Sequence, residues 1–339
     1  MIVRSKAPLR IGIAGGGTDV SPYSDEYGGC VLNATIDLFT YCSIIPTNNN
    51  VIKFSATDRK EYFSTESKSK LIIDENLPIH KGIYNRIVKD FNLKPLSFEM
   101  TTYSDAPAGS GLGTSSTLVV CIIKAFVEWL NLTLDDYEMA QLAFQIERID
   151  LNFSGGKQDQ YAATFGGFNF MEFNKNNNVI VNPLRIKTDI INELEISTLL
   201  FFTGVSRSSS KIIKHQSDSL SNNDRLKAMH EIKQMSLTTK EAILKGDFKL
   251  LYDTFKEAWE AKKKTSSLIS NKGIDEVYNA ALDSGAYCGK ISGAGGGGFM
   301  LFFIDPLRKN EIIERLSLFQ GYFIKVKYNS QGVQSWTIR

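Results

Sequence analysis

Pro107-Ala108-Gly109-Ser110-Gly111-Leu112-Gly113-Thr114-Ser115-Ser116-Thr117 follows a strand-like segment, Leu96 to Thr102, and opens an apolar run, Leu118-Val119-Val120-Cys121-Ile122-Ile123, that continues to about Leu130. Glycines at 109, 111 and 113 remove side chains, so the backbone can turn tightly and present its N–H groups. The hydroxyls at 114 to 117 then stand where the first turn of a helix begins. Backbone donors at a helix N-terminus form an anion site, and phosphate suits it. The Gly-Lys-Ser/Thr ending of a Walker A loop is missing, so no P-loop lysine is assigned. A Gly/Ser linker is the plain alternative, but linkers rarely run straight into a buried helix.

Outward from that loop, 339 residues are enough for two domains, or one large α/β body, with a sizeable core. Hydrophobic residues make up 42% and charged residues 22%, ordinary for a soluble globular protein. The net charge is only +2 and no block of like charge stands out, which argues against nucleic acid or an anionic membrane as partner. Cys30, Cys42, Cys121 and Cys288 are far apart and match no metal-knuckle spacing; buried, reduced thiols are the simpler reading. His80, His215 and His230 form no His-x-x-x-His pair. The N-terminal residues lack a signal-peptide core and no apolar run reaches spanning length, so a cytoplasmic protein is expected.

The first strand, Ala7 to Ala14, ends in a second glycine-rich turn, Gly15-Gly16-Gly17-Thr18-Asp19. It does not give G-x-G-x-x-G, and Val20-Ser21-Pro22 stands where a dinucleotide-binding helix would continue. Strands are expected at Cys30 to Asp37, Thr40 to Pro46, Val51 to Ser55 and Glu61 to Ser64, and a helix from His80 to Phe91. Thr133-Leu134-Asp135-Asp136 reads as a capped start of a helix to about Ile149, which Ser154-Gly155-Gly156 breaks. The polar turn Asn174 to Asn178 marks a boundary between residues 1–178 and 179–339, with two strands near 180 and 200 assignable to either half. Helices follow at Asp224 to Lys245, Phe248 to Lys264 and Gly273 to Asp283. A third glycine-rich loop then lies between the strands of Cys288 to Phe303, before a helix near 308 to 319 and a last strand, Tyr322 to Val326.

Ala7-Pro8-Leu9-Arg10 with Gly15 to Asp19, Pro107 to Ser116, and Lys290-Ile291-Ser292-Gly293-Ala294-Gly295-Gly296-Gly297-Gly298 resemble, in order and spacing, the three motifs of the GHMP kinases. That family contains galactokinase, homoserine kinase, mevalonate kinase and phosphomevalonate kinase. Each loop alone is a weak signal, but the set covers nearly the whole chain. The resemblance implies an α+β fold of two domains, ribosomal-protein-S5-like and then ferredoxin-like, with ATP held by the first and the active site between them.

The resemblance also implies roles. Pro107, Gly109, Ser110, Gly111, Leu112, Gly113, Thr114, Ser115 and Ser116 would hold ATP; Ser115 and Glu147 would hold Mg²⁺; Asp159 would receive or orient the proton of the attacking hydroxyl; and Arg10 would be its cationic partner. Gly17, Thr18 and Asp19 match the position that binds sugar hydroxyls, and Gly295 and Gly296 would close on the substrate. Gly155-Gly156-Lys157-Gln158-Asp159-Gln160 is similar to the sugar-1-kinases that include fucose and heptose-phosphate kinases. Lys157 stands where that group often has tryptophan. The bacterial kinases of D-glycero-D-manno-heptose 7-phosphate are the nearest match, which implies a product for nucleotide-heptose and surface polysaccharide. A phosphorylated sugar needs a second anion site, for which Ser206, Arg207 and Lys211 offer a hydroxyl and two cations. A kinase of an unphosphorylated sugar such as fucose, and a non-catalytic sugar or nucleotide sensor on this fold, are the alternatives. A homodimer is left open.

Overall fold

The computed structural model describes residues 1–176, 178–206, 209–218 and 222–339. Its first half runs β1 (Ile2–Ala14), α1 (Tyr23–Tyr27), β2 (Gly29–Pro46), β3 (Val51–Ala56), β4 (Glu61–Glu66), α2 (Pro78–Asp90), β5 (Phe98–Ser104), α3 (Thr114–Leu130), α4 (Asp136–Phe144), a π-helical turn (Gln145–Asp150), α5 (Gln158–Phe165) and β6 (Phe168–Phe173). The second runs β7 (Val179–Pro183), α6 (Thr188–Ser197), β8 (Thr198–Phe202), α7 (Ser209–Asp218), α8 (Asn223–Lys245), α9 (Phe248–Thr265), α10 (Lys272–Asp283), β9 (Ala286–Ile291), β10 (Phe299–Ile304), α11 (Lys309–Leu316), β11 (Tyr322–Ile324) and β12 (Gln334–Ile338).

Two sheets result. The larger has eight strands in the order β12-β1-β2-β5-β3-β4, with β6 paired to β2 and β7 to β6. The smaller is β11-β8-β10-β9, antiparallel throughout. The apolar run after the organising loop is α3, whose Val119 to Ile123 are fully buried against the large sheet and α2. A second core lies between the sheets, where Leu9, Ile11 and Ile13 of β1 meet Leu200 of β8 and Phe299, Leu301 and Phe303 of β10. Side chains alternate along a strand, so Arg10 turns away from that core.

Several elements differ from the sequence expectation. The two segments 30–37 and 40–46 form one strand, β2, long enough to pair β6 with its first part and β5 with its last. The helix expected from Thr133 starts later, because the reciprocal capping box is Asp135 with Glu138. Its last turn is π-helical, which carries Glu147. Helices α1 and α6 and strand β12 had no expectation. The large sheet takes β7 and β12 from beyond residue 178, while β8 belongs to the small one.

The loop at 107–113 and the loop at 292–298 are pressed together backbone to backbone. Ser110 O accepts the Phe299 N–H at 2.9 Å, and Ser292 Oγ donates to Gly111 O at 2.9 Å. A β-carbon on Gly298, whose φ is +92°, would sit 2.4 Å from Ser110 O. Gly298→Ala is therefore expected to lower stability by ~2–4 kcal/mol, combining left-handed strain with a forced backbone shift. Gly12→Ala, where a β-carbon meets nothing within 4 Å, serves as the control and should cost less than about 1 kcal/mol. Urea unfolding of the two variants measures the contrast.

Candidate active site

Helix α3 starts at Thr114 with Gly113 as its N-cap, and no side chain caps it. Its positive end opens on a cleft of about 470 Å³ whose walls include Gly109, Gly111, Gly113, Thr114, Ser115 and Ser116. Arg10, Asp19, Glu147, Arg148, Asp159 and Lys262 line the same space. Donors of a helix terminus and three cationic side chains thus share one cleft with three carboxylates, an arrangement suited to a polyanionic ligand with a metal ion.

Asp159 sits in the first turn of α5. Arg10 reaches it from β1, with Nε 2.7 Å and Nη2 2.6 Å from Oδ1, and its Nη1 donates to Gly111 O at 2.6 Å. The guanidinium therefore joins the carboxylate to the loop at 107–113. Arg10 is buried and Asp159 retains some exposure to the cleft.

Glu147 is almost wholly buried. Ser115 Oγ donates to its Oε1 at 2.7 Å, while Ser116 Oγ and Gln160 Nε2 donate to Oε2 at 2.6 and 2.7 Å. Arg148 lies 3.2 Å from Oε1 through Nη1 and also reaches the Ser116 hydroxyl and the Gly156 carbonyl at 3.3 Å. Mg²⁺ is commonly held by one or two carboxylates, with substrate phosphates and water completing its shell. The Glu147 carboxylate and the adjoining Ser115 hydroxyl, both on the cleft wall, fit that donor set.

At the other end of the cleft the second glycine turn holds Asp19. Its Oδ1 accepts Gly17 N–H at 3.1 Å and Gln158 Nε2 at 3.0 Å, and its Oδ2 accepts Gln158 N–H at 3.1 Å. Lys262, from α9, donates to Gly16 O at 2.8 Å. Desolvation pushes the Lys262 pKa down to about 8, with the Asp19 carboxylate acting in the opposite direction. Behind the turn, Lys290 donates to Ile13 O at 2.7 Å, and desolvation, with Lys262 and Arg10 nearby, pushes its pKa down to about 7.

Most of the residues singled out in the sequence meet in this cleft, but not all. The Thr18 hydroxyl is buried and spent on backbone carbonyls, Gly15 O of its own turn and Cys30 O of β2. Gly295 and Gly296 lie against Ile269, with Gly296 N–H on its carbonyl at 2.8 Å; Gly293 and Ala294 line the cleft instead. Pro107 is exposed at the outer end of its loop, and Ser110 and Leu112 are buried beneath it. Ser206 Oγ donates to Ala108 O at 2.7 Å, Lys211 is exposed on α7 away from the cleft wall, and Arg207 lies outside the described residues.

Arg148, Gln158, Gln160, Gln216 and Lys262 belong to the cleft or its support without having been marked in the sequence. Gln158 and Gln160 flank Asp159 and could have been found by that adjacency. Lys262 follows the buried stripe Leu251, Phe255 and Trp259 at helical spacing, which was the available signal.

The family model for GHMP kinases N terminal domain matches residues 78–167, and that for GHMP kinases C terminal matches residues 239–320. The chain belongs to the GHMP kinase family, whose members are ATP-dependent phosphotransferases. It is 52% identical over 336 residues to a D-glycero-alpha-D-manno-heptose 7-phosphate kinase of Campylobacter jejuni, covering 99% of each chain. A crystal structure of a D-glycero-D-manno-heptose 1-phosphate kinase from Bacteroides thetaiotaomicron is 49% identical, with a TM-score of 0.86 and 99% of each chain covered. A putative sugar kinase from Campylobacter jejuni is 51% identical, with a TM-score of 0.84 and 99% and 98% covered. Among the described residues no helix is long and apolar enough to cross a membrane.

The depressed Lys290 pKa has a measurable effect on stability. Between pH of about 7 and 10.5 the folded lysine is largely neutral while the unfolded one is charged, so unfolding takes up a proton and stability from this group rises with pH. Lys290→Met removes that contribution. Melting temperatures at intervals from about pH 7 to 9 should rise less with pH in the variant than in the wild type.

Proposed function

We propose that the enzyme transfers the γ-phosphoryl group of ATP to the anomeric hydroxyl of D-glycero-D-manno-heptose 7-phosphate, giving the 1,7-bisphosphate. The observation that carries this reading is the Arg10–Asp159 pair, set between the N-terminus of α3 and the Asp19 turn. The backbone from 109 to 116 cradles the nucleotide phosphates. Asp19 and Gln158 orient the sugar ring through its hydroxyls, which places the anomeric oxygen at Asp159. Asp159 accepts the proton of that hydroxyl or orients it; the oxygen attacks the γ-phosphorus, the bond to the bridging β–γ oxygen breaks, and ADP leaves. Arg10 screens the negative charge that gathers on the transferred group. Glu147 and Ser115 would hold Mg²⁺, which when bound neutralises phosphate charge.

Residues 1–178 would supply most of the nucleotide site and 179–339 would complete the substrate end. The names of the two heptose kinases above differ in where they place a phosphate, and the reading follows the 7-phosphate relative at 52% identity. We place the enzyme in the cytoplasm, where ATP is supplied, with its product directed to nucleotide-heptose and surface polysaccharide. All the residues invoked come from one chain, so a homodimer would leave the mechanism unchanged.

The test is ATP consumption with Mg²⁺ over D-glycero-D-manno-heptose 7-phosphate, the unphosphorylated heptose, fucose, galactose and mevalonate, with the new phosphate located by ³¹P NMR. Turnover of the 7-phosphate with a new anomeric phosphate is expected. Turnover of free sugars alone would leave a sugar kinase with a different substrate, and ATP binding without turnover would point to a sensor. In the same assay Asp159→Asn should lower kcat by about 10²–10⁴-fold. Nearly intact turnover in that variant would remove the role given to Asp159.

A further inference from the structure

A substrate that already carries a phosphate brings two negative charges to the end of the cleft away from the reacting hydroxyl, and something must meet them. Ser206 and Lys211 are not on the cleft wall, and of their segment Ser210, which is uncharged, is. Among the described residues the cations on the cleft wall are Arg10, Arg148 and Lys262. Arg10 is committed to Asp159, and Arg148 to Glu147, the Ser116 hydroxyl and the Gly156 carbonyl. Lys157 is turned elsewhere, 3.7 Å from Asp25 and over the Phe144 ring, and Lys290 is spent on the Ile13 carbonyl outside the cleft. Lys262 is the cation of this wall with no carboxylate within ion-pair distance among the described residues.

Its placement has a chemical sense. A β-carbon on Gly17 would lie 2.8 Å from Lys262 Nζ and 2.9 Å from Gln216 Nε2, which also donates to Met229 Sδ at 3.2 Å, so two nitrogen donors border the space that the absent side chain leaves. Gly17, Gln216 and Lys262 all line the cleft, beside the Asp19 carboxylate that faces the sugar. An ammonium has three donors; Gly16 O at 2.8 Å and Gln216 Oε1 at 3.4 Å account for two. We propose that Lys262, with Gln216 beside it, binds the distal phosphate of the sugar substrate and so makes the enzyme select a phosphorylated sugar. This deepens the reading above and rests on it. Partial desolvation of the ammonium agrees with the assignment: its pKa of about 8 keeps it mostly protonated at neutral pH, and it is poorly solvated before the anion arrives.

The experiment measures kcat/KM for D-glycero-D-manno-heptose 7-phosphate and for the unphosphorylated heptose in the full chain, and takes their ratio. In Lys262→Met the ratio should fall by about 10- to 100-fold, the effect of losing a charge-assisted hydrogen bond, with most of the change in KM of the phosphorylated sugar. Lys262→Arg should recover part of it. Should Lys262→Met fail to fold, Gln216→Glu keeps the side-chain shape, sets a carboxylate against the phosphate, and should lower the same ratio. A wild-type preference for the phosphorylated sugar that survives in both variants overturns the Lys262 assignment and leaves the kinase reading standing. A wild type with no such preference overturns the substrate reading itself, and the anchor with it.

Discussion

The contact on which the molecule depends is backbone against backbone, where the loop at 107–113 meets the loop at 292–298. Arg10 Nη1 and Ser292 Oγ both donate to Gly111 O, so one carbonyl joins the first strand, the loop at 107–113 and the last glycine-rich loop. A β-carbon on Gly111 would lie 2.3 Å from Ser292 O, which shows how little room separates the two loops. The apolar core between the sheets supplies the larger burial, but it is non-directional. The loop contact supplies the register, and with it the distance between Arg10, Asp159 and the N-terminus of α3.

Charge is distributed in the cleft by pairing. Each carboxylate that lines the cleft near the N-terminus of α3 has a guanidinium close by, Asp159 with Arg10 and Glu147 with Arg148. Breaking either pair would strand a buried or half-buried charge, which costs far more than the pair gains when intact. The hydroxyls and amide that also bind Glu147 share that work, so the carboxylate stays in place through several small contacts rather than one strong one.

The parts of this architecture that could be read from the sequence are those whose signal is local. The three glycine-rich loops announce themselves by composition, and Arg10 stands just before the first of them, whereas Glu147 and Asp159 lie outside all three and were singled out through the family resemblance. The second end of the cleft was not legible in the same way. Lys262 stands in a run of three lysines, where its neighbour Lys263 pairs with Glu260 as a solvated residue would. Only the rotation of α9 against the Asp19 turn, a contact across some 240 positions, distinguishes the two. Helix α7, polar along much of its length, and the short strand β12 likewise take their form from partners distant in the chain. The capped start at Thr133 failed for a smaller reason: two acidic residues in succession offered two capping boxes, and the later one closed.

Strand β12 pairs antiparallel with β1 from Ile2 to Lys6, and Ser335 and Thr337 fasten it to Glu128 of α3. Before residues 334–338 exist, that length of β1 is an open edge, with a row of unpaired donors and acceptors on its outer side. A ribosome makes β12 more than 300 residues after β1, so the outer edge of Ile2 to Lys6 stays unguarded while the residues between them are made. The order of manufacture therefore leaves the outer edge of β1 open until the residues of β12 have been made. A chaperone that covers nascent β-edges would find a long-lived target in the Ile2 to Lys6 stretch of β1.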